Sequence, residues 1–137
     1  MTRDELFEAY ETAIVSVVDP LGSAGSAGGS VDPARACAVR GRSACMITAW
    51  NPGFERPGVQ ANEAANARLR VDLEAGGYEV WEGMGRSPDG TFTEPGFLIW
   101  AMPTAAAVAA GRDYGQFAIF EFTANGERFI IEIPAGQ

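Results

Sequence analysis

The residues of this chain that could do chemistry are mostly amides. Asn51, Asn62, Asn66 and Gln116 each carry a donor and an acceptor, with Glu94 as the one carboxylate that can join them and Trp50 as an aromatic neighbour of Asn51. Amides suit neutral polar ligands, such as a nucleoside, a sugar or a peptide group. Glu94 is the only candidate general base, its pKa open to elevation by burial near Trp50 or Phe97. No partner nucleophile is evident, so binding is expected rather than catalysis. The same amides could instead cap helices and tie loops to a sheet.

Composition excludes several chemistries. The chain has no histidine, which removes Ser-His-Asp triads, Cys-His dyads and His-ligated zinc. It has no lysine either, so Schiff-base chemistry and a phosphate-binding P-loop are absent. Two cysteines, Cys37 and Cys45, are too few for a disulfide framework. Cys45 reads as buried, and Cys37 as an exposed loop residue. No metal and no cofactor are expected. A net charge of −8 repels nucleic acid and anionic membranes. It also supports a second reading, an acidic interaction or inhibitor module that acts on a larger basic partner. The first residues lack the apolar core of a signal peptide, so a cytoplasmic protein is expected, with its oligomeric state open.

The elements that must position these residues follow from patterning. The length, 137 residues, fits a single domain over 1–137. Thr2 with Glu5 fits a capping box before a first helix, and Thr12 to Val18 reads as a strand. Residues 20–42 form a Gly/Ser/Ala-rich loop, with Ser23 to Ser30 mobile and dispensable. Ala44 to Trp50 is a strand, broken by Asn51-Pro52-Gly53. Asn62 is the expected N-cap of a helix to about Ala75, on which Asn62, Asn66, Leu69 and Leu73 share a sheet-facing stripe. Tyr78 to Met84 is a strand. Gly83-Met84-Gly85-Arg86 has some likeness to a phosphate cradle but reads as a turn, since the remaining glycines and the helix are missing. Glu94 precedes a central strand, Phe97 to Met102. A short helix from Thr104, a strand from Phe117, the hairpin signal Asn125-Gly126 and a last strand complete the chain. The fold class is α+β, a mixed, largely antiparallel sheet of about six strands covered by about three helices. Asn51, Asn66, Glu94 and Gln116 are expected to converge at one end of that sheet.

Thr48-Ala49-Trp50-Asn51-Pro52, Asn62-Glu63 with Asn66, the Gly83 to Gly90 stretch, Glu94-Pro95 and Gly115-Gln116 together resemble the bacterial family Domain of Unknown Function 3293. The resemblance covers roughly residues 44 to 122. It implies a small standalone bacterial protein and no particular activity. The chain departs from the family pattern in its long early loop and in Phe117, where a polar residue is common.

Overall fold

Seven strands form one sheet in the computed structural model, which describes residues 2–25 and 28–134. The spatial order is β2-β1-β4-β5-β3-β6-β7, with β1 Ile14–Val18, β2 Ser30–Val31, β3 Ala44–Ile47, β4 Val80–Arg86, β5 Thr93–Trp100, β6 Ala118–Phe122 and β7 Arg128–Glu132. Every pairing is antiparallel. Four helices cover the sheet: α1 Arg3–Thr12, α2 Pro33–Arg40, α3 Val59–Ala75 and α4 Thr104–Asp113. The α+β class and the central place of β5 agree with the sequence. The numbers of strands and helices each exceed the expectation by one.

Both extra elements lie in the 20–42 segment. Its Gly/Ser/Ala composition hides a complete set of helix signals. Asp32 is the N-cap of α2, its carboxylate accepting from the Ala34 N–H, Pro33 follows in the first turn, and Gly41 closes the helix at φ 64°. These are the usual preferences for the two ends of a helix. Cys37 is therefore fully buried on α2, not exposed in a loop, and burial pushes its thiol up to about 11. Cys45 is buried as expected, and both cysteines are free. The stretch expected to be dispensable also packs. Asp19 and Ala24 are buried, the Asp19 carboxylate accepts from the Ala24 N–H, and Ser30 pairs with Val18 in the sheet. Ser26 and Ala27, at the centre of the stretch expected to be mobile, lie outside the described residues.

The sheet has two apolar faces, each with its own pair of helices. On one, Val17, Met46, Trp81, Leu98, Trp100 and Phe120 pack with Ala36 and Cys37 of α2 and Tyr10 of α1. Trp81 and Trp100 meet edge to face at 4.9 Å there, the core role their strand positions suggest. On the other, Cys45, Ile47, Phe97, Ile99 and Ile119 pack with Leu69 and Leu73 of α3 and Ala107 of α4. The alternation along β5 is the ordinary period of two. Among the described residues no helix is long and apolar enough to cross a membrane.

α1 is the most lightly held helix. None of its residues is fully buried. Its C-terminal end is tied to β7 by Arg128, whose guanidinium donates to the carbonyls of Tyr10 and Ala13 while lying 4.5 Å from the Phe120 ring. Arg3 pairs with Glu132 at the other end.

Candidate functional site

The site begins where β3 stops. Its last pairs are Ile47 with Phe97 of β5 and Met46 with Phe120 of β6. β3 thus ends three residues short of Trp50, which the sequence had placed in the strand. Beyond Ile47, β5 and β6 have no strand between them.

Asn66 explains the early end. Its Oδ1 accepts from the Ala49 N–H at 2.8 Å, and its Nδ2 donates to the Pro95 carbonyl at 3.0 Å. A side-chain amide therefore stands between two backbone groups of the kind that pair along a ladder. The Thr48 hydroxyl donates to the same Pro95 carbonyl at 2.7 Å and accepts from the Trp50 N–H. Gly96 allows the close crossing, since a Cβ there would sit 2.8 Å from the Ile47 carbonyl oxygen. The peptide groups of the departing chain are thus satisfied without a strand partner, as buried ones must be.

The loop that follows is clamped from two sides. Asn62 and Asn51 bond reciprocally: Asn62 Oδ1 accepts from the Asn51 N–H, and Asn62 Nδ2 donates to Asn51 Oδ1. Asn51 has φ 47°, a left-handed conformation that asparagine tolerates better than most residues. Asn62 is not the N-cap. α3 starts three residues earlier, behind Gly58, which places Asn62 inside its first turns and buries it. From the other side, the Gly53 N–H donates to the Gly115 carbonyl at 2.7 Å, and Gln116 Nε2 donates to the carbonyls of Trp50 and Tyr114.

A cavity of about 220 Å³ opens beside this loop, between α1 and the sheet. Leu6 and Tyr10 roof it, and Met46, Phe117 and Phe120 supply apolar wall. Its floor is bare because Gly85 and Gly96 line it, with Gly83 on the same face of β4. Gly83 faces Gly96 across β4 and β5, and Gly85 faces Glu94. Gly83-Met84-Gly85-Arg86 is accordingly neither a turn nor a phosphate cradle but the end of β4, with its glycines on the cavity side.

One end of the cavity is polar. Asn51 and Arg56 act on Glu94 there, and Gln116, Thr48, Thr93, Arg86 and Ser87 also contribute polar lining. Glu94 lies inside β5, and desolvation raises its carboxyl pKa, partly offset by the charge of Arg56 and by the Asn51 amide. Because Asn51 Oδ1 is taken by Asn62, its Nδ2 is the atom left for Glu94. The Tyr10 phenol is raised strongly, by burial first and then by the Glu94 charge, and its hydroxyl faces the Ala118 backbone N–H. Tyr10 crosses Phe120 edge to face at 5.7 Å.

The sequence candidates thus divide into two sets. Asn51, Glu94 and Gln116 line the cavity. Asn62 and Asn66 reach the loop from α3 and hold it, with side-chain atoms committed to backbone and to Asn51. Trp50 is half-buried and contributes its carbonyl to Gln116. Phe117, the departure from the family pattern, meets Phe54 at 4.9 Å with the rings tilted by 47° and receives the Arg3 guanidinium. Sequence reasoning missed Tyr10, Arg56 and the glycine floor. The floor had a signal: Gly83 and Gly85, two apart in a strand, leave one face without side chains. Tyr10 had none, since its helix is distant in sequence from the rest of the site.

The Glu94 carboxyl makes one consequence measurable. Its folded-state pKa lies above the ordinary glutamate value, so its stabilising effect is full at low pH, where folded and unfolded chains are both protonated there. That effect is lost as pH rises through the folded-state value. Glu94→Gln should therefore melt higher than the wild type at neutral pH, and the gain should vanish in acid. Equal melting temperatures at pH 7 would show that Asn51 and Arg56 fully compensate the burial.

A comparison with known families matches residues 47–119 to the family described as "Protein of unknown function (DUF3293)". The match runs from the end of β3 to the start of β6 and so includes the clamped loop, both clamping asparagines, the glycine floor, Glu94 and Gln116. The α1 roof lies outside it. No curated protein and no solved structure matches the chain. With more than half of its length matched, the chain belongs to the DUF3293 family.

Proposed function

We propose that the protein binds a small molecule in the cavity between α1 and the sheet, apolar body inward and polar head against Asn51, Glu94 and Gln116. One observation carries the reading: a preformed cavity of about 220 Å³ with a bare glycine floor and convergent polar groups at one end. Concave, largely apolar sites with a few placed polar groups are where small ligands usually bind, in pockets of roughly 300–1,000 Å³ for drug-sized compounds. The smaller volume here suits a ligand below that size. Glu94 serves as a hydrogen-bond acceptor in this reading, and the Thr48 hydroxyl near it is already committed to the Pro95 carbonyl. A cytoplasmic setting belongs to the same proposal, supported by two free cysteines in a chain with no disulfide to maintain. The alternative, an acidic module on a basic partner, has the net charge of −8 in its favour, but it leaves the cavity without a purpose.

Crystals soaked with a fragment library test the proposal. The expected result is density between Glu94 and the Ala118 N–H for at least one fragment. Fragments bound only at other surfaces, with the cavity empty throughout, would remove it.

A further inference from the structure

The cavity is lined by one carboxylate, Glu94, and two arginines, Arg56 and Arg86, and of the two Arg56 is the one whose charge acts on Glu94. Glu94 forms no ion pair with any described residue, although Arg56 is near enough to influence its titration. The two amides beside them are fixed in orientation. Gln116 has both Nε2 hydrogens directed at backbone carbonyls, Trp50 at 3.3 Å and Tyr114 at 3.2 Å, which leaves Oε1 without a partner among the described residues. Asn51 has Oδ1 committed to Asn62 and Nδ2 turned to Glu94. The site therefore offers two acceptors, Glu94 and Gln116 Oε1, and one donor, the Arg56 guanidinium. Next to them lies the apolar volume walled by Met46, Phe117 and Phe120.

This inference rests on the ligand-binding reading and narrows it. We infer that the ligand is a zwitterion with an apolar tail, an α-amino acid of large apolar side chain or the equivalent end group. Its ammonium would face Glu94 and Gln116 Oε1, and its carboxylate would face Arg56. The Glu94 carboxylate loses solvation by burial, which is costly unless it is paired and hydrogen-bonded, and a zwitterion meets Glu94 with its ammonium and Arg56 with its carboxylate at once. A simple amine would leave Arg56 unmatched beside its own positive charge, and a simple acid would meet Glu94 unmatched. Arginine also suits a forked contact to a carboxylate.

Three matched probes test it: L-phenylalanine, phenethylamine, which lacks the carboxylate, and phenylpropionate, which lacks the amine. Each is titrated into ¹⁵N-labelled protein while the amides of Gly85, Gly96 and Ala118 are followed. L-phenylalanine should shift these resonances and bind at least tenfold more tightly than either analogue. Glu94→Gln should bring it to the affinity of phenylpropionate, and Arg56→Gln to that of phenethylamine. If the analogues shift the same resonances as strongly as the amino acid, or the two variants bind it unchanged, the zwitterion is wrong while the cavity remains a binding site. If none of the three shifts these resonances, the zwitterion is again wrong, and the fragment soak decides the cavity separately.

Discussion

Gly115→Ala should destabilise the fold by about 2–5 kcal/mol, the largest loss expected of any single methyl addition near the site. Two effects add. Gly115 has φ 71°, where an L-residue is strained by about 1–2 kcal/mol. A Cβ there would also lie 2.8 Å from Pro52 Cβ, and forcing such a contact typically costs about 1–3 kcal/mol. The proline ring cannot swing aside as a long side chain would. The chain around it would have to shift, and with it the Gly53 N–H bond to the Gly115 carbonyl. Gly90→Ala is the control, because Gly90 has φ 75° with nothing near its would-be Cβ. Urea titrations of both variants separate the effects: Gly90→Ala reports strain alone, and the excess in Gly115→Ala reports packing against Pro52. Equal losses would show that the Pro52 contact relaxes freely.

Asn66→Leu should cost about 1–3 kcal/mol, the penalty for a buried donor left without a partner. The Ala49 N–H bonds to Asn66 Oδ1 and has no substitute nearby, whereas the Pro95 carbonyl keeps the Thr48 hydroxyl. Leucine branches at the same carbon but is larger and more apolar, so no cavity opens on the α3 face, and the loss reports the missing hydrogen bonds together with any overpacking. Release of the loop also loosens the polar end of the cavity, because Asn51 and Trp50 follow directly after Ala49. Faster amide exchange at Ala49 and Trp50 should accompany the lower midpoint in a urea titration. A variant as stable as the wild type, with unchanged exchange, would show that Asn66 does not hold the end of β3.

Particular residues show what patterning can and cannot reveal. The Asn62, Asn66, Leu69, Leu73 stripe was legible because helical spacing puts all four on one side, and all four are buried. The β6–β7 hairpin was legible in Asn125-Gly126, where Gly126 supplies φ 87°. α2 was not, because small residues obscured its Asp-Pro start and Gly stop. The end of β3 was not, because it depends on an amide arriving from α3, and no local pattern in Ile47 to Trp50 encodes that. The candidate residues near Asn51 were identifiable as types, but spacing could not say which would line a cavity and which would brace it. Asn66, in the middle of α3, and Gln116, just before β6, are both amides. One bonds backbone through both of its polar atoms, and the other keeps an oxygen unpartnered.

Gly85→Val puts the cavity itself to the test. A Cβ at Gly85 would come no closer than 4.0 Å to the Glu94 carbonyl oxygen and to Val15, so the strand accommodates it, and valine suits a strand. Its methyl groups would occupy the floor of the cavity. The variant and the wild type are titrated with the same cavity-binding compounds while the Gly96 and Ala118 amide resonances are followed. The account predicts that Gly85→Val keeps its urea midpoint and loses those shifts. Shifts of the same size in the stable variant would contradict it, and would place the ligand elsewhere on the molecule.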